Sequence, residues 1–101
     1  MKQRMFALLL IILCVFGASA QAADPMKGKA VYGVHCKNCH GQTGVSFFPG
    51  TPDFSKGEQL MKADSALMLT IQKGQGMMPA YKGVLTDSEI LDVIAHIRSF
   101  R

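Results

Sequence analysis

Cys36 and Cys39 stand two residues apart and are followed at once by His40, in the stretch VHCKNCHGQTG. Two thiols and an imidazole at this spacing can form a disulfide, hold zinc, run a thiol–disulfide cycle or anchor a haem, and each chemistry demands partners elsewhere in the chain. A disulfide here would close a very short ring, the least stabilising kind, and gives His40 no role. A thioredoxin-like dithiol wants a preceding strand, and no period-two alternation precedes Val34. Zinc wants four ligands, usually as two separated pairs; beyond these three side chains the sequence offers His35, adjacent to the motif, and His96.

Attachment of a haem through C-x-x-C-H demands something else. Each thiol adds to one vinyl group, the imidazole binds iron from one face, and a second strong ligand must come from downstream. Met78 answers this: it lies 38 residues after His40, between glycines, and directly precedes Pro79. Proline biases the residue before it toward extended backbone, which helps to project Met78 inward. Met77 is the rival, placed second because it does not precede the proline and otherwise reads as core filler.

The elements that must position these residues are helical. Asp24-Pro25 is an N-cap followed by proline at the first helical position, opening a helix that carries Ala30, Val31 and Val34 toward Cys36, so the motif sits at a helix end. A segment rich in Gly, Pro, Ser and Thr follows, with Phe47, Phe48 and Phe54 embedded in it. It reads as an irregular loop whose aromatics are expected to bury. A short helix from Asp64 or Ser65 places Leu67, Met68 and Ile71 on one side and stops at Gly74. The last helix opens on a capping box, Thr86 to Glu89, and repeats Ile90, Val93, Ile94 and Ile97 at helical spacing, with Arg98 and Arg101 suited to the negative end of its dipole.

Ahead of all this, Lys2 and Arg4 precede an apolar run of 12 residues, Met5 to Phe16, and then small residues at A-x-A spacing. The run is too short to span a bilayer, which takes about 20 helical residues. Residues 1–22 read as a Sec signal peptide, with Cys14 one of its side chains, and residues 23–101 as one domain of 79 residues. A domain so small is hard to stabilise with a peptide core alone and calls for a staple. Without the leader, nine basic side chains face seven acidic ones. That balance, with lysines scattered rather than interleaved with aromatics, excludes a nucleic-acid surface.

From Asp24 to Arg101 the chain resembles the small bacterial class I c-type cytochromes. The likeness rests on Gly28, Val31 and Tyr32 in the first helix, CKNCHG, TPDFS, Ile71-Gln-Lys-Gly before GMMPA, and LTDSEILDVIAHIRSF. It implies an all-α, class I cytochrome c fold of three to four short helices wrapped around one covalent haem c. Cys36 and Cys39 would carry the thioethers, and His40 and Met78 the axial bonds. Gly28 and Tyr32 would meet the Val93/Ile94/Ile97 face. His96, where many relatives have an aromatic residue, is expected to be partly exposed and not a ligand, and His35 is too close to the attachment point to be one. A carbonyl beside Pro49 or Pro52 would orient His40, a choice the sequence leaves open. Phe47, Phe48, Phe54, Met61, Leu67 and Ile71 would line the pocket.

The function so implied is that of a monomeric periplasmic one-electron carrier between redox protein partners in a respiratory or dehydrogenase chain, and not an enzyme. A dedicated haem subunit of a larger periplasmic oxidoreductase is the alternative. A peroxidase-like enzyme or gas sensor would need Met78 detached and a distal acid–base pair, which the sequence does not supply.

Overall fold

The computed structural model describes residues 22–101. The leader expected over residues 1–22 therefore lies, but for Ala22, outside the described residues. Among the described residues four helices follow one another: α1 (Pro25–His35), α2 (Lys37–His40), α3 (Asp64–Lys73) and α4 (Asp87–Arg98), with a 3₁₀ turn over Phe54–Lys56 between α2 and α3. Among the described residues there is no strand, only isolated bridges at Gln75/Met78 and Lys82/Leu85.

Local chemistry sets the ends. The Asp24 carboxylate accepts from the Met26 and Lys27 amides, with Pro25 in the first turn of α1. The capping box of α4 is complete: Glu89 N donates to Thr86 Oγ1 at 3.1 Å and Thr86 N to Glu89 Oε1 at 2.9 Å. At α3 the first residue is Asp64, and no side chain caps it. Its carboxylate instead receives Arg98, whose guanidinium also donates to the carbonyls of Leu60 (2.6 Å) and Lys62 (2.9 Å). Arg98 thus acts as a clamp across the turn that enters α3, a larger role than complementing a dipole.

The core is built where α1 crosses α4. A Cβ on Gly28 would sit 1.9 Å from the Asp92 carbonyl oxygen, so the crossing exists only because residue 28 has no side chain. Two i, i+4 pairs on α4 then serve two clusters. Val93 and Ile97 pack with Tyr32 and Phe54, while Ile90 and Ile94 pack with Ile71 and Leu85; Val31 touches both.

The same close approach corrects the expectation for His96. It is buried, only 8% exposed, and its ring meets the edges of Tyr32 at 5.2 Å and Phe100 at 4.8 Å. Asp92, one turn earlier, is buried as well and accepts from the Asp24 amide at 2.7 Å. Asp92 and His96 form an i, i+4 polar pair of the kind that normally marks a solvated face. Gly28 draws α1 onto that face and covers it.

Candidate haem site

The site begins at a break in the backbone. At Cys36 the dihedrals depart from helix (φ −118°, ψ −35°), ending α1 and starting α2. The Cys39 and His40 amides both turn to the Cys36 carbonyl, at 3.3 and 3.0 Å. Cys36 is half-buried beside the Tyr32 cluster and Cys39 is exposed; both thiols are free, so the disulfide reading fails. Burial, and secondarily the neighbouring Cys39, push the Cys36 thiol up to about 11.

His40 ends α2 with its ring stacked on Phe54, centroids 4.7 Å apart and planes 15° from parallel. Desolvation lowers its pKa and the backbone carbonyl of Pro52 opposes that shift, so the ring is neutral at pH 7, the form that binds metal. Nδ1 is buried and makes no hydrogen bond of normal geometry, so the Pro52 carbonyl acts on the ring without completing one. Behind the ring the chain is pinned: the Tyr32 hydroxyl donates to the Gly41 carbonyl at 2.5 Å. Gly41 itself has φ +82°, and a Cβ there would lie 2.0 Å from the Val45 oxygen.

The other expected ligand sits on the turn Gln75–Met78, closed by the two hydrogen bonds between Gln75 and Met78 at 2.9 and 3.1 Å. Gly76 takes the first central position with φ +58° and Met77 the second with negative φ, the signs of a type II′ turn. This separates the two methionines. Met77, at the tip, is 84% exposed, whereas Met78 is half-buried against the Ile71/Leu85 cluster. Gly74 lets the chain return, since a Cβ on it would meet the Met78 oxygen at 2.5 Å and the Ala80 nitrogen at 2.8 Å.

Phe54 is buried, whereas Phe47 (70% exposed), Phe48 and Met61 are exposed on the peptide. Among the described residues no element covers Phe47 or Met61. Taken with a neutral, oriented imidazole, two unpaired thiols and a thioether turned inward, these side chains suit a large flat apolar group. The residues present fit a haem. They do not fit zinc: among the described residues no three His, Cys, Asp or Glu side chains gather as a metal cluster. His35 is not part of the donor set; its ring rests edge-on to Tyr81 at 5.6 Å, and it is its carbonyl that the site uses, as the acceptor for the Tyr81 hydroxyl.

A family model described as cytochrome c oxidase, cbb3-type, subunit III matches residues 23–97. The chain belongs to this family and is a small class I c-type cytochrome. It carries one covalently bound c-type haem. Cytochrome c6 of Thermostichus vulcanus is 33% identical to it over 102 residues, covering 96% of this chain and 91% of the relative. The cbb3-type cytochrome c oxidase subunit CcoP of Azospirillum brasilense is 34% identical over 95 residues, but the match spans 32% of that protein. Among solved structures, the c-type cytochrome KustC0563 superposes with a TM-score of 0.67 at 30% identity, over 73% of this chain and 96% of its own. Cytochrome c6 from the diatom Phaeodactylum tricornutum, at 21% identity and a TM-score of 0.62, shares the fold. The cytochrome is accordingly an all-α class I protein and a haem electron carrier.

Sequence reasoning missed two positions in this cytochrome that shape the site. Tyr81 was not singled out, although a lone aromatic between Pro79 and Gly83 in a turn-rich segment is a signal worth following. Gly41 was read only as part of the motif.

Proposed function

We propose that the cytochrome is an exported one-electron carrier whose haem is bonded to Cys36 and Cys39 and ligated axially by His40 and Met78. What supports the reading is the His40 ring stacked on Phe54, next to the two cysteines in sequence, together with a Met78 half-buried against the Ile71/Leu85 cluster while Met77 is exposed. When bound, the haem supplies an iron that changes oxidation state by one electron, and a thioether ligand favours the reduced form.

The chain's own residues do the rest. Phe54 stacks on the His40 ring and sets its plane, leaving the ring's outward nitrogen to bond. The turn at Gly74–Gly76 presents Met78 and keeps Met77 away. With His40 and Met78 both engaged, the iron would keep no open position for a substrate, which suits transfer rather than catalysis. Export rests on residues 1–22 read as a signal peptide cleaved after Ala22. Periplasmic redox proteins are then its donor and acceptor, with no part for nucleic acid. Among the described residues no helix is long and apolar enough to cross a membrane.

The likeness to the CcoP subunit favours one second reading, a haem subunit of a larger oxidoreductase. The match to the Thermostichus vulcanus cytochrome c6 over nine-tenths of its length supports the carrier. Potentiometric titration of the purified periplasmic protein, with its size in solution, tests the choice. A reversible one-electron transition in a monomer whose first residue is Ala23 is expected. Persistent co-elution with a larger enzyme would favour the subunit, and turnover of peroxide at a ligand-free iron would overturn both.

A further inference from the structure

Breaking the helix at Cys36 leaves a backbone debt at the carbonyl just before it. In a continuous helix the His35 carbonyl would accept from the amide four residues on, Cys39. Here that amide turns to Cys36 instead, at 3.3 Å. The His35 oxygen is served by Tyr81, whose hydroxyl donates to it at 2.9 Å across 46 residues of sequence. The ring of Tyr81 stands edge-on to the His35 ring, 5.6 Å between centroids and 78° between planes.

Tyr81 is equally tied to the methionine side. It lies three residues after Met78 and packs with it on the Ile71/Leu85 cluster. Its amide donates to the Ile71 carbonyl in α3 at 3.0 Å, and its own carbonyl accepts from Val84 and Leu85, both at 2.9 Å. The backbone bonds fix where residue 81 sits relative to α3. Across to the segment that carries Cys36, Cys39 and His40, Tyr81 offers its hydroxyl as a hydrogen-bond donor, beside the edge contact of the two rings.

We infer that Tyr81 is a positioning residue, its hydroxyl coupling the Met78 turn to the carbonyl that precedes Cys36 and so holding the Met78 sulfur against release. The inference rests on Met78 being the second axial ligand. Release of the turn leaves the His35 oxygen without its donor, so each excursion of Met78 has to break this half-buried bond. Loss of such a bond is worth about a fivefold change in the populations it controls.

Imidazole titration of the oxidised holoprotein, followed in the visible spectrum, reads this directly, because added imidazole takes the iron only when the native ligand has left. Tyr81→Phe keeps the ring and its contacts. We expect its apparent imidazole affinity to rise about fivefold, with the reduced spectrum and helical circular dichroism unchanged. Unchanged affinity alongside a lowered denaturant midpoint would make Tyr81 merely structural and overturn the inference. The reading of Met78 is checked separately: Met78→Ala should bind imidazole far more tightly than either protein. If Met78→Ala matches the wild type, Met78 is not the ligand and the role of Tyr81 falls with it; if only Tyr81→Phe matches, Tyr81 alone is refuted.

Discussion

Substituting alanine for Gly28 should separate the two helices on which the cytochrome is built. The added methyl would lie 1.9 Å from the Asp92 oxygen, 2.3 Å from its carbonyl carbon and 2.8 Å from the Val93 nitrogen. These are backbone atoms, so no rotamer change can relieve the clash. Restoring ordinary contact moves α1 from α4 by about 1.5 Å, and a gap of even about 1 Å forfeits up to half of each dispersion well. Tyr32, Ile90, Val93 and Ile94 are all at most 2% exposed at this crossing. Burying each is worth ~1.5–3 kcal/mol, so losing about a third of the set removes roughly 3 kcal/mol. Alanine's better helix propensity returns about 1 kcal/mol. The net expectation is a loss of about 2 kcal/mol in chemical denaturation of the holoprotein, within the ordinary range for overpacking. Gly33, in the same helix, has nothing within 4 Å of its would-be Cβ, so Gly33→Ala serves as the control. It should be neutral or stabilising by up to about 1 kcal/mol. If Gly28→Ala falls within about 0.5 kcal/mol of the wild type, as a surface change would, the account of the crossing is wrong.

Other substitutions test the remaining supports. Gly74 has φ +73° and ψ 171°, a region kept almost wholly for glycine, and its missing Cβ makes room for Met78 and Ala80. Gly74→Ala should lower the temperature at which the sulfur-to-iron band is lost by more than it lowers global unfolding; equal shifts would deny the turn its role. Arg98→Ala removes four hydrogen bonds and should cost about 2 kcal/mol, with Arg98→Lys recovering only part because an ammonium cannot reproduce the fork. Full recovery by lysine would show that charge alone matters. Burial first, and Lys29 second, hold the pKa of His96 below the ordinary imidazole value. The unfolded chain then takes up its proton at higher pH than the folded one, so this contribution is complete above about pH 6.5 and is lost as pH falls below it. His96→Phe should accordingly gain stability relative to wild type between pH 7 and pH 5 in urea titrations, and a constant difference would refute the assignment.

Much of this architecture is written in local sequence. Asp24-Pro25, the Thr86–Glu89 box and Gly74 each act within one turn of a helix, so reading them needs no knowledge of the fold. The C-x-x-C-H spacing and Met78-Pro79 likewise announce themselves. What could not be read locally depends on distant partners. His96 reads as a surface residue until Gly28, far away in sequence, brings α1 onto it. Arg98 suits a helix dipole until the turn at Leu60–Asp64 offers it two carbonyls and a carboxylate. Tyr81 has no visible task until the break at Cys36 strips the His35 carbonyl of its usual donor. Phe47 and Met61, expected to line a haem pocket, are exposed on the peptide, which is what local sequence alone does not predict for apolar side chains.

The claim at the centre of the account is that His40 and Met78 hold the iron between them. The near-infrared spectrum of the oxidised holoprotein tests it most directly, recorded for the wild type, Met78→Ala and Met77→Ala. A weak sulfur-to-iron band present in the wild type, absent from Met78→Ala and unchanged in Met77→Ala is the predicted result. A band that survives Met78→Ala, or that never forms in the wild type, would contradict it.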